Sequence, residues 1–364
     1  MEKKYKKVEG EKRMKILIVR FRQIGDAIIS SVLCNTLKKS FPGCQIDYVL
    51  YDFVAPIFQN HPYIDNLIVI TPEERKNPFS YIKKAWDVTR TDYDVVIDLM
   101  STPKSEVFSL FSRAKFRIGR AGDKERLIRG KGYNYRVGWS GKSPDETWKT
   151  LDMLKPLQDV GYEIQYDNRY CLRITEAEKS AMREKMKDSG VDFSKKILIG
   201  AVNSRRPEKV YPVELMVEVF RKILEKNDVQ IVLFYSKDEK QFVEDFHQTL
   251  DSDPRIITGI ETKDIRELGA LMTNCNLFFG NEGGPRHMAQ ALDLPTFAVF
   301  GPNTFKDTWL TNGDDKNRGL EPRDVAGDNF ENLSHREKYE LITPDMIYSE
   351  IEYLLKKYVE TEER

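Results

Sequence analysis

The densest group of residues able to do chemistry lies at 276–302, NLFFGNEGGPRHMAQALDLPTFAVFGP. An apolar strand is predicted to end at Gly280. The loop Asn281-Glu282-Gly283-Gly284 follows, with Pro285 expected at the first position of a helix. Two glycines let backbone approach a ligand without a Cβ in the way, and the N–H groups and dipole of a helix start suit a phosphate. Arg286 and His287 add positive or donor groups there. The same pattern also makes an ordinary βα turn with tight geometry. A second group is the first such turn, Arg20-Phe21-Arg22-Gln23-Ile24-Gly25-Asp26. Asp26 reads either as the N-cap of the next helix or as a carboxylate kept ionised at a cleft to act as general base. A third is Val202-Asn203-Ser204-Arg205-Arg206-Pro207-Glu208-Lys209, whose cations suit a diphosphate, with Lys209 as a point charge near a leaving group. It reads equally as a solvated basic loop. A fourth is the basic stretch 113–136, with Arg113, Lys115, Arg117 and Arg120 among its cations. It is either a solvated face or a surface for an anionic acceptor or membrane.

These turns need a scaffold, and the apolar pattern supplies one. Short apolar runs at 15–21, 45–50, 66–70 and 94–99 alternate with stretches of helical period. The alternation restarts with a helix at 175–190, begun by the capping box Thr175/Glu178 and stopped at Gly190. Further runs follow at 196–202, 230–235, 255–257, 276–280 and 296–300. Buried runs alternating with helices imply parallel sheets covered on both faces. The reading is α/β, with two doubly wound Rossmann-like domains. The expected divisions are a polar extension at 1–13, a first domain at 14–180, a second at 181–340 and a terminal helix in 341–364. That helix, opened by Thr343-Pro344, is expected to pack back toward the first domain. The polar stretch 303–338 reads as long loops. In such sheets ligands bind beyond the carboxyl ends of the strands, where all these turns lie.

Composition limits the alternatives. The chain has 364 residues, and its 58 Lys+Arg balance 58 Asp+Glu, against a dedicated nucleic-acid binder. Cys34, Cys44, Cys171 and Cys275 form no C-x-x-C pair and the four His are isolated, so neither a disulfide framework nor a zinc site is expected, in keeping with a reducing cytoplasm. No apolar run approaches a membrane span and the N-terminus does not read as a secretory signal. Neither G-x-G-x-x-G nor G-x-x-x-x-G-K-[ST] occurs, against a dehydrogenase and a P-loop enzyme.

Taken in order, the segments resemble the heptosyltransferases of lipopolysaccharide core assembly, glycosyltransferase family 9. KILIVRFRQIGDAIISSVLCNTLKKSFPGCQIDYVL resembles the family's first strand, Gly-Asp turn and helix. SRRPEKVYP resembles S-x-x-P-x-K-x-W-P, with Tyr211 in place of Trp. GNEGGPRHMAQALDLPTFAVFGP resembles G-N-D-[ST]-G-P-x-H-x-A-A-A-L-x-x-P-T-x-x-[LF]-F-G-P. The resemblance implies a GT-B architecture, acceptor on the first domain and nucleotide-sugar on the second. It implies inverting transfer from an ADP-heptose-type donor to a lipid-linked core acceptor. Asp26 then matches the catalytic base, Lys209 the lysine near the donor phosphates, and His287 with Gly283-Gly284 the diphosphate site. Asn203, Ser204, Arg205 and Pro285 line the donor turns, and Glu239 matches an acidic residue on the adenosine ribose. Arg20, Arg22, Arg113, Arg117 and Arg120 fall to the acceptor side. Glu282 stands where the family has Asp and Gly283 where it has Ser or Thr, which bears on the donor sugar. No Asp-x-Asp site is evident, so cations and a helix start are expected to replace a metal, and no cofactor is expected. The implied partners are the nucleotide-sugar, a core precursor and the anionic cytoplasmic face of the inner membrane. The alternatives are a GT-B transferase with another donor and a catalytically silent sugar-nucleotide-binding relative.

Overall fold

The computed structural model describes residues 13–21, 23–121, 130–138, 145–311 and 314–360. Apart from residue 13, the expected N-terminal extension lies outside them. The first half holds six strands: β1 Lys15–Val19, β2 Gln45–Tyr51, β3 Asn66–Ile70, β4 Val95–Asp98, β5 Phe116–Arg120 and β6 Tyr135–Val137. The second half holds β7 Lys196–Ala201, β8 Val229–Leu233, β9 Ile256–Ile257, β10 Leu277–Asn281, β11 Thr296–Val299 and β12 Asn317–Leu320. Every pairing is parallel. The sheet orders are β3-β2-β1-β4-β5-β6 and β12-β11-β10-β7-β8-β9.

These orders follow from the sequence pattern. The runs ILIV, VVID and ILIGA are continuously buried because helices cover both faces of each sheet. The order reverses between β1 and β4 in one sheet and between β7 and β10 in the other. At such a point the connections leave to opposite faces and open a crevice at the carboxyl edge. The turns after β1, β4, β7 and β10 therefore border the two crevices.

Three strands escape the hydrophobic pattern. β5 (FRIGR) and β6 (YRV) lie inside the basic stretch, and β12 (NRGL) inside the expected loops 303–338. Phe116 and Ile118 turn into the core while Arg117, on the opposite face, and Arg120, at the carboxyl end of the strand, remain partly exposed. β12 is an edge strand bonded on one side only, which tolerates polar side chains. The stretch after it also forms the helix His335–Glu340.

The terminal helix Pro344–Leu354 does begin with Thr343 as N-cap, whose Oγ accepts from Met346 N. It does not return to the first half. Ile347, Ile351 and Leu354 join one core cluster with Val219, Phe220 and Ile223 of the helix Val213–Lys226. Its apolar stripe thus covers the second sheet beside β11 and β12, the nearest surface once β12 has left the chain there. The division between halves also falls earlier than residue 180. Arg169 O still accepts from Asn35 Nδ2 of the first half, whereas Leu172 N donates to Ala291 O of the second, at 3.2 Å. The helix Glu176–Asp188, capped by Thr175 and Glu178, shares its core with the helix Ile265–Met272 and belongs wholly to the second half.

The halves meet over a shared core. Ile57 of the first and Leu268 and Met272 of the second lie in one buried cluster. Arg266 ties the seam: it donates to Pro56 O and Gln59 O at 3.2 and 3.0 Å, to Arg173 O, and to both oxygens of Glu178.

Candidate active site

Asp26 sits in the third position of the helix Ile24–Ser30, and Gln23, not Asp26, is the N-cap. One carboxylate oxygen accepts from Gln23 N at 3.0 Å. The other lies 2.7 Å from Arg20 Nη2, in a pair whose side chains are 13% and 25% exposed. A carboxylate at the third position fastens the helix start by the logic of a capping box. Arg20 also donates to Leu99 O beyond β4, which fixes its guanidinium across the crevice of the first sheet. Asp26 is thus oriented and water-accessible, as a base needs to be.

Arg120 ends β5 on the same edge. Its N donates to Ser101 Oγ at 2.6 Å. Burial lowers its pKa, and the neighbouring charge of Arg20 adds to the effect. Two guanidiniums therefore crowd one edge with Asp26. Arg113 and Arg117 do not join them. Arg117 aligns with Val96, toward the amino end of β4, and donates to Gly132 O and Ala114 O. Arg113 is exposed just before β5. A charge run laid along a strand points its members to different ends, so of Arg113, Arg117 and Arg120 only Arg120 reaches the crevice. Arg22, Lys124, Arg126 and Arg129 lie outside the described residues.

In the second half the sequence groups converge after β7 and β10. Asn203, Ser204 and exposed Arg205 form the loop beyond β7, where Ser204 Oγ accepts from Arg206 N. The turn Pro207–Lys209 brings Lys209 Nζ to 2.5 Å from Glu282 Oε2. Glu282 is only 5% exposed, so Lys209 neutralises a buried carboxylate as well as facing the crevice. Asn281 was no site candidate from sequence, yet its Oδ1 accepts from Tyr211 N at 2.9 Å and docks that turn on β10. Its signal was its place between a strand end and the glycine pair. Glu239 caps its own turn, its carboxylate accepting from Ser236 N and Ser236 Oγ.

The glycine turn differs from expectation in detail. The helix is Gly284–Ala291, which puts Pro285 at its second position. Gly283 is extended, with φ 170°, and needs no special freedom. Gly284 is approached by the other half of the protein: a Cβ there would stand 3.4 Å from Gly25 N and from Ile24 Cβ. A Cβ on Gly25 would meet His287 Cδ2 at 2.9 Å. Gly25 leaves the space that His287 takes, and the helix bearing Asp26 and the helix of the expected diphosphate turn touch end to end there.

Arg286 is fully buried rather than presented to a ligand. It donates to Trp309 O and Gln290 Oε1, and its Nη2 lies 2.9 Å from His287 Nδ1. A guanidinium can only donate, so the imidazole beside it must accept. Burial, then Arg286, then Lys209 push the His287 pKa well below its usual value. His287 is therefore a neutral hydrogen-bonding group at the seam and supplies no charge. Among the described residues no group of three or more His, Cys, Asp or Glu side chains is placed to hold a metal ion. No helix among them is long and apolar enough to cross a membrane.

The chain is similar to known proteins in both sequence and fold. The chain is 24% identical over 314 residues to lipopolysaccharide heptosyltransferase 1 of Campylobacter coli, covering 82% of this chain and 87% of that protein. It superimposes on the family 9 glycosyl transferase of Veillonella parvula with a TM-score of 0.78 at 19% identity, over 95% and 99% of the two chains. On E. coli ADP-heptose lps heptosyltransferase II the TM-score is 0.74 at 20% identity, over 94% and 99%. At such identities the superpositions establish the fold, two facing doubly wound halves of the GT-B kind. The sequence model described as glycosyltransferase family 9 (heptosyltransferase) matches residues 82–334. With well over half its length inside that match, the chain is a glycosyltransferase and belongs to glycosyltransferase family 9, the heptosyltransferases.

Proposed function

We propose that the protein moves a heptose from an ADP-heptose-type donor to the inner core of lipopolysaccharide, with inversion at the anomeric carbon. The observation that carries this reading is the end-to-end contact of the helix holding Asp26 with the helix holding His287, at Gly25 and Gly284. It sets an oriented carboxylate from one half against a phosphate-suited turn from the other. The names of the relatives, a lipopolysaccharide heptosyltransferase and an ADP-heptose enzyme, supply the substrate class.

On this reading Asp26 takes the proton of the acceptor hydroxyl as its oxygen bonds to the anomeric carbon, and the bond from that carbon to the diphosphate breaks. Arg20 keeps the carboxylate turned toward the crevice. Arg20 and Arg120 hold an anionic acceptor on the first half. Charge gathering on the departing ADP meets Lys209, Arg205 and the N–H groups starting Gly284–Ala291, with a hydrogen bond from neutral His287. Lys209 exchanges Glu282 for phosphate, which releases Glu282 toward the sugar hydroxyls. These cations carry the role a divalent ion plays elsewhere, so the reaction needs no metal. Closure of the halves excludes water as a rival nucleophile. The protein works at the cytoplasmic face of the inner membrane, where its acceptor is anchored.

The test is direct. The purified protein is incubated with ADP-heptose, or with a panel of UDP- and GDP-sugars, and a lipopolysaccharide truncated in its inner core. The product is weighed by mass spectrometry. A heptose-sized increment from ADP-heptose alone supports the reading. An increment from another nucleotide-sugar moves it to a different donor. Binding without transfer makes the protein a silent relative.

A further inference from the structure

The helix Pro78–Thr89 covers the first sheet with one face: Tyr81 and Thr89 are nearly buried and Ala85 wholly so. The outer face of such a helix is ordinarily polar. Here Phe79, Ile82 and Trp86, at helical spacing, are 85%, 46% and 52% exposed. The neighbouring helix Pro103–Phe111 extends the patch. Its Leu110 is 49% exposed, and the Phe111 ring lies 5.5 Å from that of Trp86. An open groove beside Phe79 is lined by Pro72, Lys76 and Pro78.

Cations frame this surface. Lys76, Lys83, Arg90, Lys104 and Arg113 are all exposed, against Glu73, Asp87 and Asp92. Large apolar tips among exposed cations that outnumber the exposed acids are the composition of a surface that lies in the boundary of an anionic bilayer. A partner protein would need no such excess of one charge. Position agrees. The helix Pro103–Phe111 starts soon after β4 ends, on the edge that carries Asp26, the helix Pro78–Thr89 follows β3 by way of the short helix Pro72–Lys76, and Tyr81 OH donates to Lys104 O at 2.6 Å to hold the two starts together. The most exposed side chain, Phe79, is thus near the acceptor edge.

We propose that the face formed by Phe79, Ile82, Trp86 and Leu110 with the surrounding cations is a docking surface for an anionic lipid bilayer. The aromatic tips enter the headgroup boundary, the cations meet lipid phosphates, and the first crevice is held over its acceptor. That last purpose rests on the reading of a lipid-linked acceptor, whereas the docking itself does not.

Co-sedimentation with phosphatidylglycerol and with phosphatidylcholine vesicles tests the proposal on the full chain. Binding is expected to the first and not the second, and to fall as salt rises. Both side chains are exposed, so Phe79→Ser with Trp86→Ser should melt as wild type and bind phosphatidylglycerol at least about tenfold more weakly. Lys83→Glu with Arg90→Glu should weaken binding and flatten its salt dependence. Failure of the wild type to bind, or unchanged binding in both variants, overturns the proposal. So does a concentration-dependent dimer abolished by the first variant, which gives the face to a second copy. Heptosyl transfer separates the two readings. If the first variant works normally on a deacylated, soluble acceptor but slowly on one embedded in vesicles, both stand. If vesicle binding behaves as described while no core acceptor is ever glycosylated, docking stands and the reading of the reaction falls.

Discussion

Asp26→Asn separates the chemical from the structural duty of this carboxylate. Asn keeps one oxygen able to accept from Gln23 N, the 3.0 Å bond that fastens the helix start. It cannot keep the ion pair with Arg20 at 2.7 Å. That pair is partly exposed, and pairs of this kind are worth about 1 kcal/mol or less. For a cooperative unit of 364 residues such a loss moves the melting temperature by only about 1–2 °C. Loss of a general base costs about 10²–10⁴ in rate, or roughly 3–5 kcal/mol of barrier. The two magnitudes differ enough to be read apart. The assay is the initial rate of heptosyl transfer, with thermal melting and ADP binding measured on the same preparation. The variant should melt within a few degrees of wild type and bind ADP unchanged, since the donor turns lie in the other half. Transfer should fall at least about a hundredfold. Near-normal transfer by a normally melting variant would remove Asp26 as the base. A melting point lower by more than about 10 °C would show that the helix start depends on the charge, contrary to the estimate from exposure.

Three further outcomes follow from the same geometry. Lys209→Met should abolish efficient donor use and also destabilise the protein by up to about 3 kcal/mol, because buried Glu282 loses its cation; adding Glu282→Gln should restore the melting temperature but not transfer, and recovery of both would exclude Lys209 from the donor site. His61 has its pKa pushed down to about 4 by burial, from an unfolded value near 6.5, so its contribution is complete above about pH 6.5 and is lost as pH falls toward 4. Urea unfolding should thus show about 2 kcal/mol less stability at about pH 5 than at about pH 7 from this group, and a His61→Gln variant that keeps the full difference would refute the assignment. Transfer should persist in excess chelator, and complete loss restored by added Mg²⁺ or Mn²⁺ would overturn the metal-independent mechanism.

The elements that were legible in sequence are those whose burial is simple. ILIV and ILIGA are covered on both faces and read as strands without ambiguity, and Thr175 with Glu178 announced a helix start that forms with both reciprocal bonds. What escaped was incomplete burial: β5, β6 and β12 each carry an arginine that stays partly or fully exposed, so their charge outweighed their apolar residues. The site was legible as a set of turns but not as a set of partners. Nothing in a spacing reveals that Lys209 meets Glu282, that Gly25 leaves room for His287, or that Arg286 turns inward to Trp309 O. Those contacts join residues far apart in the chain, and only the closed fold brings them together. The terminal helix failed for the same reason, since its apolar stripe fits any sheet until β12 fixes which one is near.

Arg266 has a consequence for how the molecule comes apart. Its guanidinium joins carbonyls of the first half, at Pro56 and Gln59, to Arg173 at the crossing and Glu178 beyond it. Unfolding either half alone would strand this buried charge among broken acceptors and expose the cluster shared by Ile57, Leu268 and Met272. Neither half is then a thermodynamic unit. Calorimetry should record one transition, with calorimetric and van't Hoff enthalpies equal, where two independent domains would give two. Either half expressed by itself would present half a core to water.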